Sequence, residues 1–221
     1  MRVRAFYWMS LLVTALFLVG CGGGQATVKF QPGDQNVTPG QTMQWTFDTY
    51  SLGEIPKGAQ SLSGRWEVRA VADAPTPPNA LCQTGNAEFP ALSLSPMVYT
   101  DVVISTRFKP ISGQQDQAAG IIFRIQDANN YDILRANALE NNVTIYRYVN
   151  GARSSLQEGT ATVVSGKWQE LRVEVKGDRI RGFLNGKLVV ETTDETYKAG
   201  QVGLWTKSDS VTCFDNVRVM A

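Results

Sequence analysis

Hydrophobic and polar residues alternate with a period of two through most of the chain after Trp45. Successive side chains of a β-strand point to opposite faces, so this alternation predicts strands with one buried face. No window keeps the i, i+3, i+4, i+7 spacing of a long amphipathic helix. The pattern predicts an all-β protein in which ordered structure begins near Trp45.

Eleven segments carry the alternation and are predicted to be strands. They are Trp66–Val71, Asn79–Thr84, Asp101–Lys109, Ala119–Ile125, Tyr131–Asn137, Asn142–Val149, Lys167–Lys176, Arg179–Leu184, Lys187–Glu191, Gln201–Thr206 and Val211–Val219. Three intervening sequences, Asn150-Gly151, Lys176-Gly177-Asp178 and Asn185-Gly186, favour tight hairpins because Asn, Asp and Gly tolerate positive φ angles. Strands joined mostly by hairpins predict a two-sheet antiparallel sandwich of jelly-roll type, with a single domain over residues 45–221.

Residues 1–20 are predicted to be an export signal, because Arg2 and Arg4 precede an uncharged stretch that is short for a membrane span. The stretch ends in Leu-Val-Gly-Cys at residues 18–21, which resembles the lipobox of bacterial lipoproteins. The resemblance implies cleavage before Cys21 and a lipid anchor, diacylglycerol and palmitate, at that cysteine. In the alternative interpretation, Cys21 is one more apolar residue of an ordinary signal.

Residues 21–44 are therefore expected to be a lipidated cysteine followed by a flexible tether rich in Gly, Gln, Thr and Pro. The anchor implies a location in the cell envelope, with the membrane as a partner. Gly22 follows the cysteine, which resembles the outer-membrane sorting signal of Gram-negative lipoproteins. We therefore expect the protein on the outer membrane, facing the periplasm or the exterior.

Composition narrows the chemistry further. The 21 basic and 20 acidic residues give a net charge of +1, so the basic excess that nucleic-acid binding requires is missing and no nucleic-acid partner is expected. The chain has no histidine. This excludes Ser-His-Asp and Cys-His nucleophile systems and every imidazole metal site. Any catalysis by this chain would have to use carboxylates, Lys, Tyr, Cys or a cation bound by oxygen atoms.

Two cysteines remain if Cys21 carries a lipid. Cys82 and Cys213 form an even pair in an exported protein, and this predicts a disulfide between them. The alternative is two buried thiols. Because the sequence contains no Cys-x-x-Cys motif or cysteine cluster, it does not indicate a zinc or redox site.

Three segments resemble the concanavalin A-like, or laminin-G-like, jelly rolls. They are AAGIIFRIQDANNYDILRANALENNVTIYRYVNG at residues 118–151, GKWQELRVEVKGDRIRGFLNGKLV at residues 166–189 and GLWTKSDSVTCFDNVRV at residues 203–219. Within these jelly rolls, the chain is most similar to the bacterial group named after 3-keto-disaccharide hydrolase, over Phe47 to Val219. The resemblance implies a carbohydrate-related role, because such sandwiches commonly present a concave sheet to glycans.

The sequence departs from the laminarinase-type hydrolases of this neighbourhood. Those enzymes place catalytic carboxylates on one strand as Glu-x-Asp-x-Glu, and no such spacing occurs here. Asp194 and Glu195 are adjacent and would face opposite sides of a strand. We assign no catalytic residue and favour a membrane-anchored, non-catalytic, glycan-binding lipoprotein. The alternatives are a glycoside hydrolase acting on (3-keto-)disaccharides and a structural or protein-interaction lipoprotein.

A ligand site is predicted on the polar face of one sheet. Alternation assigns Ile121, Phe123 and Ile125 to the core and Arg124 to the opposite face. Planar donors and acceptors beside an aromatic ring suit sugar hydroxyls, and the arginine content favours an acidic sugar. If the strands pair in chain order, the predicted ligand-binding residues are Arg107, Arg124, Tyr131, Arg135, Asn137, Glu140 and Trp205.

Two alternatives stay open at this site. The arginines could instead pair with Glu140, Asp127 or Asp132 across strands, as most surface charges do. No cofactor is expected, although Asp127 to Asn130 could offer oxygen atoms to Ca²⁺. A turn of Asx residues that makes its own backbone hydrogen bonds explains the same four residues.

Overall fold

A computed structural model describes residues 40–221, so the predicted export signal, Cys21 and most of the predicted tether lie outside the described residues. Within this range, the chain forms strands and contains no helix that could cross a membrane. The strands are Thr42–Trp45 (β1), Gln60–Ser63 (β2), Trp66–Ala70 (β3), Asn79–Gln83 (β4), Ala91–Ser93 (β5), Val102–Ser112 (β6), Ala118–Asp127 (β7), Asn130–Asn137 (β8), Asn142–Val149 (β9), Ala152–Thr160 (β10), Gln169–Lys176 (β11), Arg179–Leu184 (β12), Lys187–Thr193 (β13), Gln201–Trp205 (β14) and Val211–Met220 (β15).

The strands form two antiparallel sheets. The first sheet has eight strands in the order β13-β12-β11-β6-β15-β4-β3, with β1 added beside β15. The second sheet has seven strands in the order β10-β9-β8-β7-β14-β5-β2. This architecture confirms the predicted two-sheet antiparallel sandwich. Consecutive strands do not always pair, and β6 and β7 lie in different sheets.

The main core lies between the two sheets. Ile104 and Phe108 of the first sheet belong to the same buried cluster as Ile121, Leu134 and Ile145 of the second. All five side chains are fully buried. Removing their apolar surface from water is the main stabilising contribution, at roughly 25 cal/mol per Å².

The second sheet is also buried on its outer face. A separate cluster there includes Ile122, Ile133, Tyr131, Tyr146 and Trp205. Consequently, all residues of β8 after Asn130 are buried, although only alternate ones face the main core. Such an apolar outer face distinguishes this sheet from an ordinary solvated one, because a half-exposed sheet shows alternating polar residues on its water side.

The sequence located most strands and missed four of them. The predicted bounds of Asn142–Val149 and Arg179–Leu184 match the structure. The missed strands are β1, β2, β5 and β10, and β1 begins at Thr42, inside the segment predicted to be a tether. Strand β10, with the sequence ARSSLQEGT, lies at a sheet edge and has no buried residue, so it lacks the alternation of apolar residues that prediction requires.

The two remaining cysteines are bonded across neighbouring strands. Strands β4 and β15 pair in an antiparallel manner with Cys82 directly opposite Cys213. Their sulfur atoms form a disulfide that spans a sequence separation of 131 residues. Both cysteines are buried with Ala74 and Ala80 in a small cluster apart from the main core.

A bulge in β7 changes the predicted orientation of one arginine. Arg124 has a φ angle of 50°, and the register with β8 shifts between Phe123 and Asp127. The prediction that one face carries Ile121, Phe123 and Ile125 is therefore wrong. Past the bulge, Ile125 joins the outer cluster, whereas Ile121 and Phe123 face the main core.

Candidate functional site

The outer face of the second sheet brings polar and aromatic side chains into adjacent rows. In one row, Thr144, Arg135, Gly120 and Trp205 lie opposite one another on β9, β8, β7 and β14. Directly opposite residues of antiparallel strands share a face, with Cβ atoms about 5 Å apart. This row therefore sets an arginine and an indole ring on the same surface, separated by a glycine.

Gly120 provides space for the Trp205 ring. A Cβ atom at position 120 would lie 3.1 Å from Cε3 and 3.2 Å from Cβ of Trp205. The indole ring thus packs against the bare backbone of β7, where it is fully buried. Glycine at this position in the middle of a strand is explained by this close approach.

Five aromatic rings surround this point and are called the aromatic cluster: Phe89, Tyr131, Tyr146, Tyr148 and Trp205. Phe89 stacks on Trp205 with ring centroids 5.9 Å apart and meets Tyr148 edge-on at 5.4 Å. Tyr148 contacts Tyr131 at 4.8 Å. Trp205, Tyr131, Tyr146 and Tyr148 are buried, and Phe89 is the partly exposed ring of the cluster.

Arg153 places a cation among these rings. It lies opposite Tyr148 on the edge strand β10, so it points to the same face. Its guanidinium carbon is 4.4 Å from the Tyr146 ring centroid, 5.0 Å from that of Phe89 and 5.8 Å from that of Trp205. Burial lowers the pKa of Arg153. These distances are typical of cation–π contacts, which hold the guanidinium in place.

Arg135 forms a second charged group beside the cluster. Its side chain is 2% exposed and pairs with Glu140, and Nη2 also donates to Oδ1 of Asn142 at 2.9 Å. Nδ2 of Asn142 donates in turn to Glu140 at 3.0 Å. Partial burial raises the pKa of Glu140, but the charge of Arg135 and these hydrogen bonds outweigh it, so the pKa lies below its ordinary value. Glu140 is 43% exposed, so an ionised carboxylate faces solvent.

Asp116 forms the other acidic group of the site. Its carboxylate accepts hydrogen bonds from Nδ2 of Asn137 at 2.7 Å and from the Ser208 hydroxyl at 3.3 Å, and it pairs with Lys207 Nζ at 2.9 Å. The loop that carries Asp116 is held by Asp209. The Asp209 carboxylate accepts from the backbone N–H groups of residues 114–116 at 2.6 to 3.2 Å.

Two guanidinium donors of this face make no hydrogen bond with any residue in the 40–221 range. They are Nε of Arg135 and Nη1 of Arg153, and both atoms are buried. Buried donors in folded proteins are almost always paired.

Five of the seven predicted ligand-binding residues lie together on this face. Tyr131 and Trp205 belong to the aromatic cluster, Arg135 pairs with Glu140, and Asn137 binds Asp116. Strand β8 supplies three of them because Tyr131, Arg135 and Asn137 have the same parity, as the alternation indicated.

The placement of Arg124 in the site is wrong. Its guanidinium is 1% exposed and pairs with Asp132 at 3.2 Å. It also donates to the carbonyl oxygens of Asp194 at 3.1 Å and Gly177 at 2.6 Å. The bulge turns the side chain to the inner side of the second sheet, where it ties the two sheets together. Burial raises the pKa of Asp132 to about 7.

The placement of Arg107 is also wrong. Strand β6 pairs with β11 and β15 in the first sheet and has no pairing with β7. Nη2 of Arg107 donates to the carbonyl oxygen of Trp168 at 3.5 Å. The prediction assumed pairing in chain order, whereas the jelly roll crosses from one sheet to the other between these two strands.

The sequence prediction missed seven residues of the site: Phe89, Asp116, Asn142, Tyr146, Tyr148, Arg153 and Lys207. Tyr146 has the same parity as Asn142 on β9, so alternation along that strand contained the signal. Arg153 gave no such signal because β10 was not recognised as a strand. Asp116 and Lys207 lie between strands, where no periodicity applies.

The turn at Asp127 to Asn130 uses its own polar groups. Oδ1 of Asp127 accepts from the Asn129 backbone N–H at 2.8 Å and from Nδ2 of Asn130 at 2.8 Å. In the described part of the chain, no group of three or more His, Cys, Asp and Glu residues could hold a metal ion. The hydrogen bonds of Asp127 are those of an Asx turn.

A groove elsewhere on the molecule has a different character. It lies between the end of β10 and the β12–β13 hairpin and has a volume of about 530 Å³. Its lining is Thr160, Ala161, Thr162, Leu184, Asn185, Lys187, Leu188 and Val189. Because this lining has no aromatic ring and no acidic group, the groove does not match the residues that sugar hydroxyls favour.

Two solved domains that are named for carbohydrate binding or recognition have a similar fold. The CBM66 carbohydrate binding module from Bacillus subtilis superposes with a TM-score of 0.63 and 23% identity, covering 74% of this chain and 96% of the module. The Emp47p carbohydrate recognition domain superposes with a TM-score of 0.54 and 12% identity, covering 81% of this chain and 94% of that domain. These similarities show the fold, a lectin-like β-sandwich.

Sequence comparison adds a relative and a family. A stretch of 103 residues is 31% identical to levanase of Bacillus subtilis; it covers 45% of this chain and 15% of levanase, a small part of that protein. Residues 59–220 match the model of the 3-keto-alpha-glucoside-1,2-lyase-like domain. The match covers most of the chain and agrees with the fold, so the chain belongs to the family of 3-keto-alpha-glucoside-1,2-lyase-like domains.

Proposed function

We propose that this protein is a non-catalytic glycan-binding module and that its site is the outer face of the second sheet. The observation that carries the proposal is the aromatic cluster flanked by two charged pairs, Arg135 with Glu140 and Lys207 with Asp116. The carbohydrate-binding modules with a similar fold support it, as does a stretch of sequence similarity to levanase.

The chemistry of the face suits a sugar ring. The apolar C–H face of a sugar packs on aromatic rings, and its hydroxyl groups both donate and accept hydrogen bonds. Glu140, whose side chain is 43% exposed, accepts from hydroxyl groups, and the buried Arg135 holds this carboxylate in place.

The protonation states favour binding over hydrolysis. A glycosidase needs one carboxylic acid that stays protonated, and burial or a neighbouring charge must raise its pKa. Glu140, the exposed carboxyl group of the site, has a lowered pKa. The carboxyl groups with raised pKa values, Asp132 at about 7 and Asp215 at about 6, have no exposed surface.

The family match favours a second candidate, an enzyme acting on 3-keto-disaccharides. A ketone at C3 makes the C2–H bond acidic, so a base close to C2 would take this proton. The C1–C2 double bond would form as the C1–O bond breaks, and the second sugar would leave with its oxygen. Glu140 is the ionised carboxylate best exposed for this role. Release of reducing sugar from a 3-keto-disaccharide by the purified protein, and its loss in Glu140→Gln, would support the enzyme over the binding module.

A lipid anchor at Cys21 completes the proposal. The lipobox resemblance at residues 18–21 motivates it. The module would then hold glycans next to the membrane of the cell envelope, on the outer membrane.

A glycan array probed with the purified protein tests the proposed function. We expect a limited set of bound glycans, and we expect Glu140→Gln to weaken binding to each of them. Glu195→Gln is the matched control, because Glu195 is 76% exposed, pairs with Lys198 and is not part of the aromatic cluster. A blank array, or equal loss in both variants, would contradict the proposal.

A further inference from the structure

Arg153 is distinguished from the other cations of the site by its lack of an acidic partner. Arg135 pairs with Glu140, and Lys207 pairs with Asp116 at 2.9 Å. Among residues 40–221, no carboxylate lies within 4.0 Å of Arg153, and its contacts are aromatic rings. The site thus holds three cations and two carboxylates. Each carboxylate pairs with one cation, and the positive charge of Arg153 remains without a partner.

The surroundings of this guanidinium point to a ligand. Nη1 of Arg153 is buried and makes no hydrogen bond with any residue in the described range. Burial opposes its positive charge, and the carboxylates of Asp116 and Glu140 favour that charge only from beyond ion-pair distance. A cation that is partly removed from water and lacks a paired anion gains most from an anion that approaches its free edge.

The neighbouring acidic residue does not fill this role. Burial raises the pKa of Tyr148, and the negative charge of the exposed Glu88 adds to this effect. It forms no ion pair with Arg153. The guanidinium plane therefore keeps donors available on the same surface as the aromatic cluster.

We infer that the site selects glycans that carry a carboxylate, as in uronic acids, and that Arg153 binds this group. The inference rests on the proposed glycan-binding function and deepens it. In this arrangement the sugar ring packs against Phe89, the partly exposed ring of the aromatic cluster, Glu140 binds its hydroxyl groups, and the carboxylate accepts two hydrogen bonds from Arg153. The arginine content of the sequence already favoured an acidic sugar, but Arg153 was not among the arginines predicted to bind it. Of those, Arg124 is buried between the sheets and Arg107 lies in the first sheet.

The test compares each acidic polymer with its own neutral form. Affinity electrophoresis of the purified protein is performed in gels that contain alginate, polygalacturonate or hyaluronan, and in gels that contain the carboxyl-reduced form of the same polymer. We expect at least one acidic polymer to bind about tenfold or more tightly than its reduced form, the range that a charge-assisted hydrogen bond provides. Added salt should reduce the difference.

Variants assign the preference to one residue. Arg153→Gln should remove the difference between the acidic and reduced polymers, and Arg153→Lys should keep part of it because the charge remains. Arg179→Gln is the control, since Arg179 is 55% exposed on the first sheet. Thermal unfolding of each variant shows whether it is folded. If Arg153→Gln unfolds at the wild-type temperature, a change in its polymer binding reflects the lost guanidinium and not a lost fold.

The outcomes separate the inference from the proposed function. Equal binding of acidic and reduced polymers would leave a glycan-binding face and overturn the role of Arg153. A preference for the acid that persists in Arg153→Gln would also overturn it. If no polymer binds and the glycan array is blank as well, both the inference and the proposed function are wrong.

Discussion

Gly120 and Trp205 lie directly opposite each other on β7 and β14, and the indole ring occupies the space that a side chain at position 120 would need. Trp205 in turn stacks on Phe89 and lies 5.8 Å from the Arg153 guanidinium. The position of the aromatic cluster thus depends on the absence of one Cβ atom.

Gly120→Ala should therefore disturb the site as well as the fold. Its Cβ would lie at 3.1 to 3.2 Å from Trp205 and from the carbonyl oxygen of Leu134, which is tighter than ordinary packing. We expect a loss of about 1–3 kcal/mol in the free energy of unfolding, the usual cost of overpacking. Urea unfolding followed by tryptophan fluorescence measures it. Ser154→Ala on the exposed strand β10 is the control, and an unchanged Gly120→Ala protein would contradict the packing described.

The buried pair of Arg124 and Asp132 should make stability depend on pH. Burial raises the pKa of Asp132 to about 7 in the folded state, against 3.8 for the ordinary group. The folded protein therefore binds more protons between these values, so this carboxyl contributes stability at low pH that is lost as pH rises to about 7. Urea unfolding at pH 5 and pH 8 measures how much the free energy of unfolding changes between the two pH values. This change should be smaller for Asp132→Asn than for the wild type. Identical differences would contradict this assignment.

Strand β8 shows how far the sequence predicts the site. Parity alone placed Tyr131, Arg135 and Asn137 on one face, and the hairpin signals gave the sandwich. The bulge at Arg124 could not be predicted, because a positive φ at a non-glycine residue leaves no trace in hydrophobic alternation. Nor could the pairing partners of β6, since they depend on contacts between distant segments. Arg153 was missed because an exposed edge strand needs no apolar residues.

Asp209 is predicted to position the acidic side of the site. Its carboxylate accepts three backbone N–H bonds from residues 114–116, and these bonds lower its pKa. Asp209→Ala should free this loop, so that Asp116 no longer holds Asn137 and Lys207. Hydrogen exchange of amides 114–116 should become faster and glycan binding weaker, whereas Asp178→Ala in a distant hairpin should change neither. Unchanged exchange at these amides in Asp209→Ala would refute the role.

The disulfide of Cys82 and Cys213 should stabilise the first sheet. It closes a long loop, and removal of such a bond costs about 2–5 kcal/mol. Peptide mapping without reduction should give one cross-linked fragment, and Cys82→Ala with Cys213→Ala should unfold at a lower urea concentration. Two freely alkylated thiols would contradict the bond.

Lipidation at Cys21 is a prediction from the sequence. Metabolic labelling with a palmitate analogue should mark the wild-type protein and leave Cys21→Ser unlabelled, because the anchor requires the cysteine sulfur. The membrane fraction should contain the wild type and lose the variant. Equal labelling of both proteins would refute the anchor.

The central claim is that glycans bind the outer face of the second sheet, and calorimetric titration of the best glycan from the array tests it most directly. The variants are Tyr146→Ala, which removes the ring between Arg135 and Arg153, and Phe183→Ala, which removes a ring under Arg172 on the first sheet. We predict that Tyr146→Ala loses at least tenfold in affinity, in keeping with an aromatic hot spot, and that Phe183→Ala binds like the wild type. Wild-type affinity in Tyr146→Ala, or a loss confined to Phe183→Ala, would contradict this account.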